Sequence, residues 1–363
     1  MPSRMHVGRP TSAFACLLAA VALLSGCGGD SGPATSSSEG TVESRPAPPK
    51  GAFPPAAGRS LIEVVKTADA PAPLVVSPAG RVFYRGENRY AFGVFEPDRT
   101  PVSDAEVALY IAHVPPTKGK NGGKDGGDSK GTVARARREA LEAPALGPFP
   151  AAIESIGTEP AFRAQTTAND PDAPAVVYVT ELDFPTEGEW RIAALIKEGN
   201  EMTGALLSSA VVGEFTRVPR VGEKAPLIHT PTAEDVDGDL SQVTTRVPPD
   251  TQSQVDFADV LGKKPIVLLF ATPQFCQSRV CGPVVDVAEQ VKETGDYDAA
   301  FIHMEIFNDN DPNKDVRPQV RAYRLPIEPF LFVIDRQGTI RTALDGPFGP
   351  ERLTRAVEEV TGR

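Results

Sequence analysis

Residues 265–284 read Pro-Ile-Val-Leu-Leu-Phe-Ala-Thr-Pro-Gln-Phe-Cys-Gln-Ser-Arg-Val-Cys-Gly-Pro-Val. The apolar run that opens this stretch, Ile266 to Ala271, has the length and β-branched character of a buried strand. Beyond the cysteines, apolar residues recur with helical spacing at Val284, Val287, Ala288 and Val291, and Gly295 ends the pattern. Proline is tolerated in the first turn of a helix, so Pro283 marks the start. The stretch predicts a strand, a loop with two cysteines, and a helix.

The two cysteines, Cys276 and Cys281, lie at or just before the predicted helix N-terminus. This end of a helix is electropositive, and a positive field lowers the pKa of a thiol. The pattern therefore indicates a redox site. Five residues apart within a regular helix, the two α-carbons would be too distant for a disulfide, so the sulfurs can meet only if residues 276–278 form a loop.

Composition limits the function classes. The chain has 363 residues and a formal net charge of −11. Without a basic stripe to neutralise phosphates, nucleic acid is not an expected partner. The 36 prolines and 32 glycines indicate linkers and loop-rich β structure, and the length leaves room for two domains.

The N-terminus has the anatomy of an export signal, with Arg4 and Arg9 before an apolar core from Ala13 to Leu24. The closing Leu-Ser-Gly-Cys27 resembles the lipobox of bacterial lipoproteins. That resemblance implies a signal peptide over residues 1–26 and a lipid on Cys27. The expected location is extracytoplasmic, anchored to the bacterial cell membrane, or to the outer membrane if there are two. Residues 27–60 are rich in Gly, Ser, Pro and Ala and predict a disordered tether.

Cysteine usage fits this location. Of four cysteines, Cys16 leaves with the signal and Cys27 carries the lipid. Only Cys276 and Cys281 remain, in a compartment where disulfides persist.

Residues 61–220 predict an all-β domain, because strand-like runs follow one another between turn residues. One predicted strand covers Phe162–Thr167. The segment around Trp190 resembles the turn and strand entry of bacterial immunoglobulin-like domains, which implies a β-sandwich. A low-complexity insertion is expected at 115–150, disordered over Pro115–Gly131 and helical over Thr132–Glu142.

Residues 221–363 are expected to form one domain, in which strands and helices alternate in the order βαβαββα from Pro265 on. In this pattern Asp315 is expected to cap the second helix, and residues 335–338 form a turn between the last two strands. The order, with a cysteine pair after the first strand, resembles the thioredoxin fold of redoxins such as the TlpA and ResA proteins. The expected fold class is thus an immunoglobulin-like sandwich followed by an α/β thioredoxin-like domain.

The motifs of that family match in part. Cys281-Gly282-Pro283 resembles the start of the Cys-Gly-Pro-Cys site, but Val284 replaces its second cysteine and Cys276 lies upstream, which gives Cys-x4-Cys. The segment ending at Glu328-Pro329 resembles the cis-proline loop, which implies that Pro329 is cis and lies beside the thiols. The charge of Glu328 is expected to oppose a nearby thiolate and make the pair more reducing.

Three functions are compatible with these residues. The first is thiol–disulfide exchange with extracytoplasmic proteins and an unidentified redox partner, with Cys276 attacking, Cys281 resolving and no cofactor beyond the redox-active disulfide. The reverse roles stay open, since Cys281 is nearer the helix. The second is copper binding by Cys276, Cys281 and His303, as in the similar Sco/SenC chaperones. In the third, the disulfide is structural and the protein is a binding scaffold.

Overall fold

The computed structural model describes residues 42–115, 129–170 and 173–363, which belong to one compact unit. The predicted signal peptide, Cys27 and the first part of the tether lie outside the described residues, as does most of the segment expected to be disordered at 115–131. No helix in the described part of the chain is long and apolar enough to cross a membrane.

Helices and strands of the described residues are numbered in chain order. The α-helices are α1 Leu61–Val65, α2 Ser129–Glu142, α3 Gln165–Ala168, α4 Phe257–Val260, α5 Cys281–Gly295, α6 Pro318–Tyr323 and α7 Pro350–Thr361. The strands are β1 Ala70–Pro71, β2 Val75–Pro78, β3 Gly86–Phe95, β4 Glu106–His113, β5 Leu146–Pro150, β6 Ala152–Ser155, β7 Val176–Phe184, β8 Gly188–Glu198, β9 Glu201–Leu206, β10 Ala210–Val212, β11 Ile266–Phe270, β12 Ala300–Met304, β13 Phe330–Ile334 and β14 Ile340–Asp345.

The first ten strands form two sheets that pack face to face. Sheet I has the order β1-β9-β8-β4-β5, with β10 paired to β8, and sheet II has the order β2-β3-β7-β6. Side chains alternate along a strand, so Tyr90, Phe92 and Val94 of β3 point into the shared core with residues of sheet I. The result is a β-sandwich, as predicted; its likeness to immunoglobulin-like domains stays a prediction.

Three expectations for this region differ from the structure. Residues 42–60 are not tether. Arg45 bridges to Ile153 of β6 in sheet II, and Phe53 is buried against apolar side chains of sheet I. The insertion ends before 146, where β5 pairs with β4, and α2 within it buries Ala136 and Ala140.

The third difference concerns Phe162–Thr167, which is not a strand. It forms a turn followed by α3, inside the long connection between β6 and β7. Residues of this connection lie against α5, where the ion pair and the packing described below hold them. Tertiary contacts therefore override the local strand propensity.

The last four strands form sheet III, in the order β12-β11-β13-β14. β11 and β12 are parallel, whereas β11–β13 and β13–β14 are antiparallel. Helices α5 and α7 cover one face of the sheet, and α4 and α6 cover the other. This arrangement confirms the predicted βαβαββα order.

Local signals in this region are mostly confirmed. α5 begins at Cys281, two residues before Pro283, and ends at Gly295 as expected. At the turn between β13 and β14, Gly338 has a φ of +76°, which glycine adopts without strain. The helix expected from Asp315 instead starts at Pro318. Proline suits the first helical position, because its missing N–H would be unpaired there in any case.

Candidate functional site

The cysteine loop, residues 271–280, brings the two sulfurs together. Cys276 and Cys281 are joined in a disulfide, with 5.9 Å between their α-carbons. The loop turns back before the helix, and Arg279 takes a left-handed conformation with φ of +59°. A looped segment therefore makes a Cys-x4-Cys disulfide feasible, as the sequence required.

The two sulfurs differ in exposure. Cys281, the first residue of α5, is fully buried at 0% relative exposure among residues of α5, α7 and sheet III. Cys276 is half-buried, and its Sγ lies 3.2 Å from the Ser278 hydroxyl oxygen. Access controls the rate of thiol–disulfide exchange, so an incoming thiolate reaches Cys276 more easily than Cys281.

The predicted proline loop lies at the same end of sheet III as the cysteine loop. Phe270, at the end of β11, pairs with Phe330, at the start of β13. Pro329 therefore precedes β13 at the edge where the cysteine loop leaves β11. The Glu328–Pro329 peptide bond is cis, and Pro329 is buried. Burial raises the pKa of the Glu328 carboxyl, and its influence on the disulfide stays a prediction.

Cys276 opens into a polar pocket of about 480 Å³. One wall is the cysteine loop with the start of α5, and the opposite wall comes from the β6–β7 connection of the sandwich, including Thr166, Thr167 and Asp170. The walls meet closely: a Cβ added to Gly282 would lie 2.8 Å from the Thr167 hydroxyl oxygen. Only glycine fits at position 282 without a shift of Thr167. Residues of the sandwich therefore form part of the immediate environment of the disulfide.

A buried ion pair holds this wall against α5. Arg246 Nε donates to Asp286 Oδ1 at 2.8 Å, and the two side chains are 6% and 1% exposed. The same guanidinium donates to the carbonyl of Phe162, while the other oxygen of Asp286 accepts the N–H of Ala164. Burial raises the pKa of Asp286, and Arg246 opposes that rise. The pair thereby joins α5, residues 162–164 and the Arg246 segment.

A second buried network of hydrogen bonds holds the start of the cysteine loop. Gln274 in the loop donates its N–H to the Thr245 hydroxyl at 3.2 Å, and Thr245 donates its own N–H to Glu305 at 2.7 Å. His303 lies beside Glu305, fully buried, with Nε2 at 3.1 Å from the carbonyl oxygen of Ala271. The start of the loop thus rests on β12 and on residues 244–245.

His303 is held in place by hydrogen-bonding partners on both sides of its ring. Its Nδ1 lies 2.9 Å from the Asp250 carboxylate, so both ring nitrogens have oxygen partners. Burial would lower the pKa of His303, but Asp250 raises it to about 9. Both nitrogens are thus engaged by oxygen atoms, and no cluster of three His, Cys, Asp or Glu suited to a metal ion occurs among the described residues. The residues present do not fit the copper site considered from the sequence.

We expect the His303–Asp250 pair to make stability depend on pH. The pKa of His303 is about 9 when folded and 6.5 as a free group, so its contribution is full below pH 6.5 and is lost as pH rises through 9. Urea unfolding of the wild type should show a lower free energy at pH 9.5 than at pH 6.5. In His303→Gln this difference should be much smaller; an equal difference in both chains would contradict the assignment.

Comparisons with known proteins add similarity in fold. No protein-family model matches the chain, and no curated protein matches it. A thiol:disulfide interchange protein of the thioredoxin family from Chlorobium tepidum TLS has a similar structure, with 19% identity, over 39% of this chain and 98% of that one, at a TM-score of 0.28. A putative protein disulfide isomerase from Bacteroides thetaiotaomicron is similar at 17% identity, over 40% of this chain and 92% of that one, at a TM-score of 0.28. A thioredoxin-like superfamily protein, SPOA0173, is similar at 16% identity, over 31% of this chain and 89% of that one, at a TM-score of 0.25.

These values are too low to support a function for this chain. The C-terminal part has a thioredoxin-like fold by the order and direction of the strands in sheet III, with helices on its two faces.

The sequence did not predict several residues of the site. Thr167, Arg246 and Asp286 surround the start of α5, yet the pair Arg246–Asp286 is 40 residues apart in the chain and Thr167 is more than 100 from Gly282. The one available signal was Asp286 itself, a carboxylate on the otherwise apolar first half of α5. A buried carboxylate needs a cation, and the sequence did not show which one.

Proposed function

We propose that this chain is a thiol–disulfide oxidoreductase that acts on protein thiols and disulfides through Cys276 and Cys281. The supporting observation is the asymmetry of the disulfide, with one sulfur half-buried beside an open pocket and the other buried at the first residue of α5. A disulfide serving only as a staple needs neither a pocket at one sulfur nor a helix N-terminus at the other.

The exchange follows from this asymmetry. A substrate thiolate attacks Cys276 Sγ, the bond to Cys281 breaks, and the electron pair stays on Cys281. There the N-terminus of α5 stabilises the negative charge. A second substrate thiolate then attacks the substrate sulfur of the mixed disulfide and releases Cys276 as a thiolate. The substrate dithiol is oxidised by two electrons and the protein is reduced; the reverse sequence reduces a substrate disulfide.

The location of the chain is part of the proposal. A lipid on Cys27, outside the described residues, would hold the protein on the extracytoplasmic side of the membrane. Disulfides persist in that compartment, so an accessible cysteine pair can exchange with the disulfides of other proteins there.

The reduction potential of the Cys276–Cys281 pair tests the proposal. We expect a value between about −120 and −270 mV, the range of redox-active pairs, measured by equilibration with glutathione and by thiol alkylation. A value below about −300 mV is typical of structural disulfides and would show that the bond is a staple.

A further inference from the structure

The outer face of sheet II carries the interface between the sandwich and the cysteine loop. On this face Ala91, Val177 and Val179 pack against Val280, and the Cys276 side chain packs against the same cluster. The strand alternation is regular, since the neighbouring residues Tyr90, Phe92 and Tyr178 point to the inner core. Cys276 and Val280 of the cysteine loop therefore belong to the same apolar cluster as the outer face of sheet II.

The same face continues beyond that interface into an open groove of about 500 Å³. Its floor is formed by β2, β3 and β7, with Val75, Gly93, Phe95 and Val177 among the lining residues. Val75 pairs with Phe95, and Ser77 pairs with Gly93. Since the neighbouring residues Val76 and Val94 lie in the inner core, both pairs lie on the outer side of the sheet. The cysteine loop borders the groove through Gln277, Ser278, Arg279 and Val280.

The groove is apolar where it is open. Val75, the first residue of the edge strand β2, is 53% exposed on this side of the sheet. At Gly93 the sheet has no side chain, and an added Cβ would lie 2.5 Å from the Phe95 ring, which folds over that position. The floor is consequently mostly apolar, with the charged residues Glu96, Arg99 and Arg279 also lining the groove.

We infer that this groove binds an extended apolar segment of the protein whose cysteine reacts with Cys276. This inference rests on the proposed function and adds the substrate class. Its support is continuity: the groove floor and the interface that holds Cys276 belong to one sheet face, and Arg279 lines both the groove and the Cys276 pocket. When a substrate cysteine is joined to Cys276, the residues that flank that cysteine lie next to the apolar groove. The sandwich then selects substrates in which apolar residues flank the cysteine.

The test uses two synthetic peptides, each with two cysteines, one flanked by leucines and the other by serines. The oxidised full chain oxidises each peptide, and the rate constant is measured by acid quench and chromatography. Dithiothreitol, which has no side chains to fill a groove, gives a reference rate constant. We expect the wild type to prefer the leucine peptide over the serine peptide by about tenfold, since burial of two or three apolar side chains stabilises the complex.

The variant Val75→Glu places a charge on the groove floor. Because a charge resists burial against apolar side chains, the ratio of leucine-peptide to dithiothreitol rate constants should fall about tenfold. The matched control is Val211→Glu, at an exposed valine on β10 of sheet I, and it should keep the wild-type ratio.

The outcomes separate the two proposals. If dithiothreitol and both peptides fail to react with the wild type, the exchange function itself is wrong. If all react but Val75→Glu keeps the wild-type ratio, the exchange function stands and the groove is not the substrate site. If Val75→Glu instead converts a dimer into a monomer in analytical ultracentrifugation without changing the ratio, a second copy of this chain occupies the groove and the inference is overturned.

Discussion

The variant Cys281→Ser is expected to accumulate mixed disulfides with its substrates, visible as high-mass bands on non-reducing gels. Its remaining cysteine of the pair, Cys276, is the half-buried sulfur at the pocket, so it still reacts with substrate. In the direction that reduces a substrate disulfide, Cys276 attacks first, and the second step is lost because the resolving thiol of Cys281 is absent. Turnover should fall to the background level while adducts rise from near zero to a large fraction of the protein.

The variant Cys276→Ser is the matched comparison. It keeps only Cys281, which has 0% exposure, and should form few adducts in the same assay. Both variants lose the same bond, which closes a short loop and contributes about 2 kcal/mol in the chain-entropy account. A difference between them therefore reports access and not stability. Adducts confined to Cys276→Ser would mean that Cys281 attacks, contrary to our assignment.

The capture experiment also tests the location. When the Cys281→Ser chain is produced with its own N-terminus, the trapped proteins should be ones that carry export signals. Trapping of cytoplasmic proteins alone would contradict the predicted anchor at Cys27.

The second large effect is on stability. Arg246→Met removes the cation from a carboxylate that is 1% exposed, and breaking a buried pair in this way costs about 3–5 kcal/mol. Urea unfolding at pH 8 measures the loss. Without Arg246 only hydrogen bonds, including the one from the Ala164 N–H, oppose the burial that raises the pKa of Asp286. That pKa should therefore rise further, and the loss of stability should shrink as the pH is lowered from 8 to 5.

Two controls interpret this result. Arg336→Met removes an exposed partner of Asp298, in a pair whose side chains are 55% and 71% exposed, and should change stability by less than about 1 kcal/mol. The double variant Arg246→Met/Asp286→Asn should recover part of the loss, because no buried charge is left unpaired. A loss below about 1 kcal/mol in Arg246→Met would show that the pair does not hold the pocket wall.

The helices and strands of the C-terminal part could be predicted because their sequence patterns are strong and local. The apolar run before Cys276, the helical spacing from Val284 to Val291 and the glycine at 295 each describe an element that forms from its own residues, and α5 and β11 have nearly the expected bounds. The cis peptide at Pro329 followed from a motif resemblance. The error at Asp315 was also local, since Pro318 is the stronger helix start.

The sandwich was predicted less well, because its segments depend on partners far away in the chain. Phe162–Thr167 has strand-like residues but packs on α5, more than 110 residues later. Residues 42–60 have a linker composition yet pack against both sheets of the sandwich. His303 illustrates the same limit. A histidine within an apolar strand was compatible with a ligand, and only the position of Asp250 and Ala271 around its ring excluded that role.

By itself, the sequence determined a redoxin-like strand–loop–helix with one cysteine pair at the mouth of the helix, since such elements arise from spacing along the chain. Only the tertiary structure decided that the sandwich packs against Cys276, that Arg246 and Asp286 join the two parts, and that an apolar groove adjoins the cysteine loop. The physical reason is that burial and charge pairing depend on which surfaces meet. Linear spacing carries no information about contacts between segments a hundred residues apart.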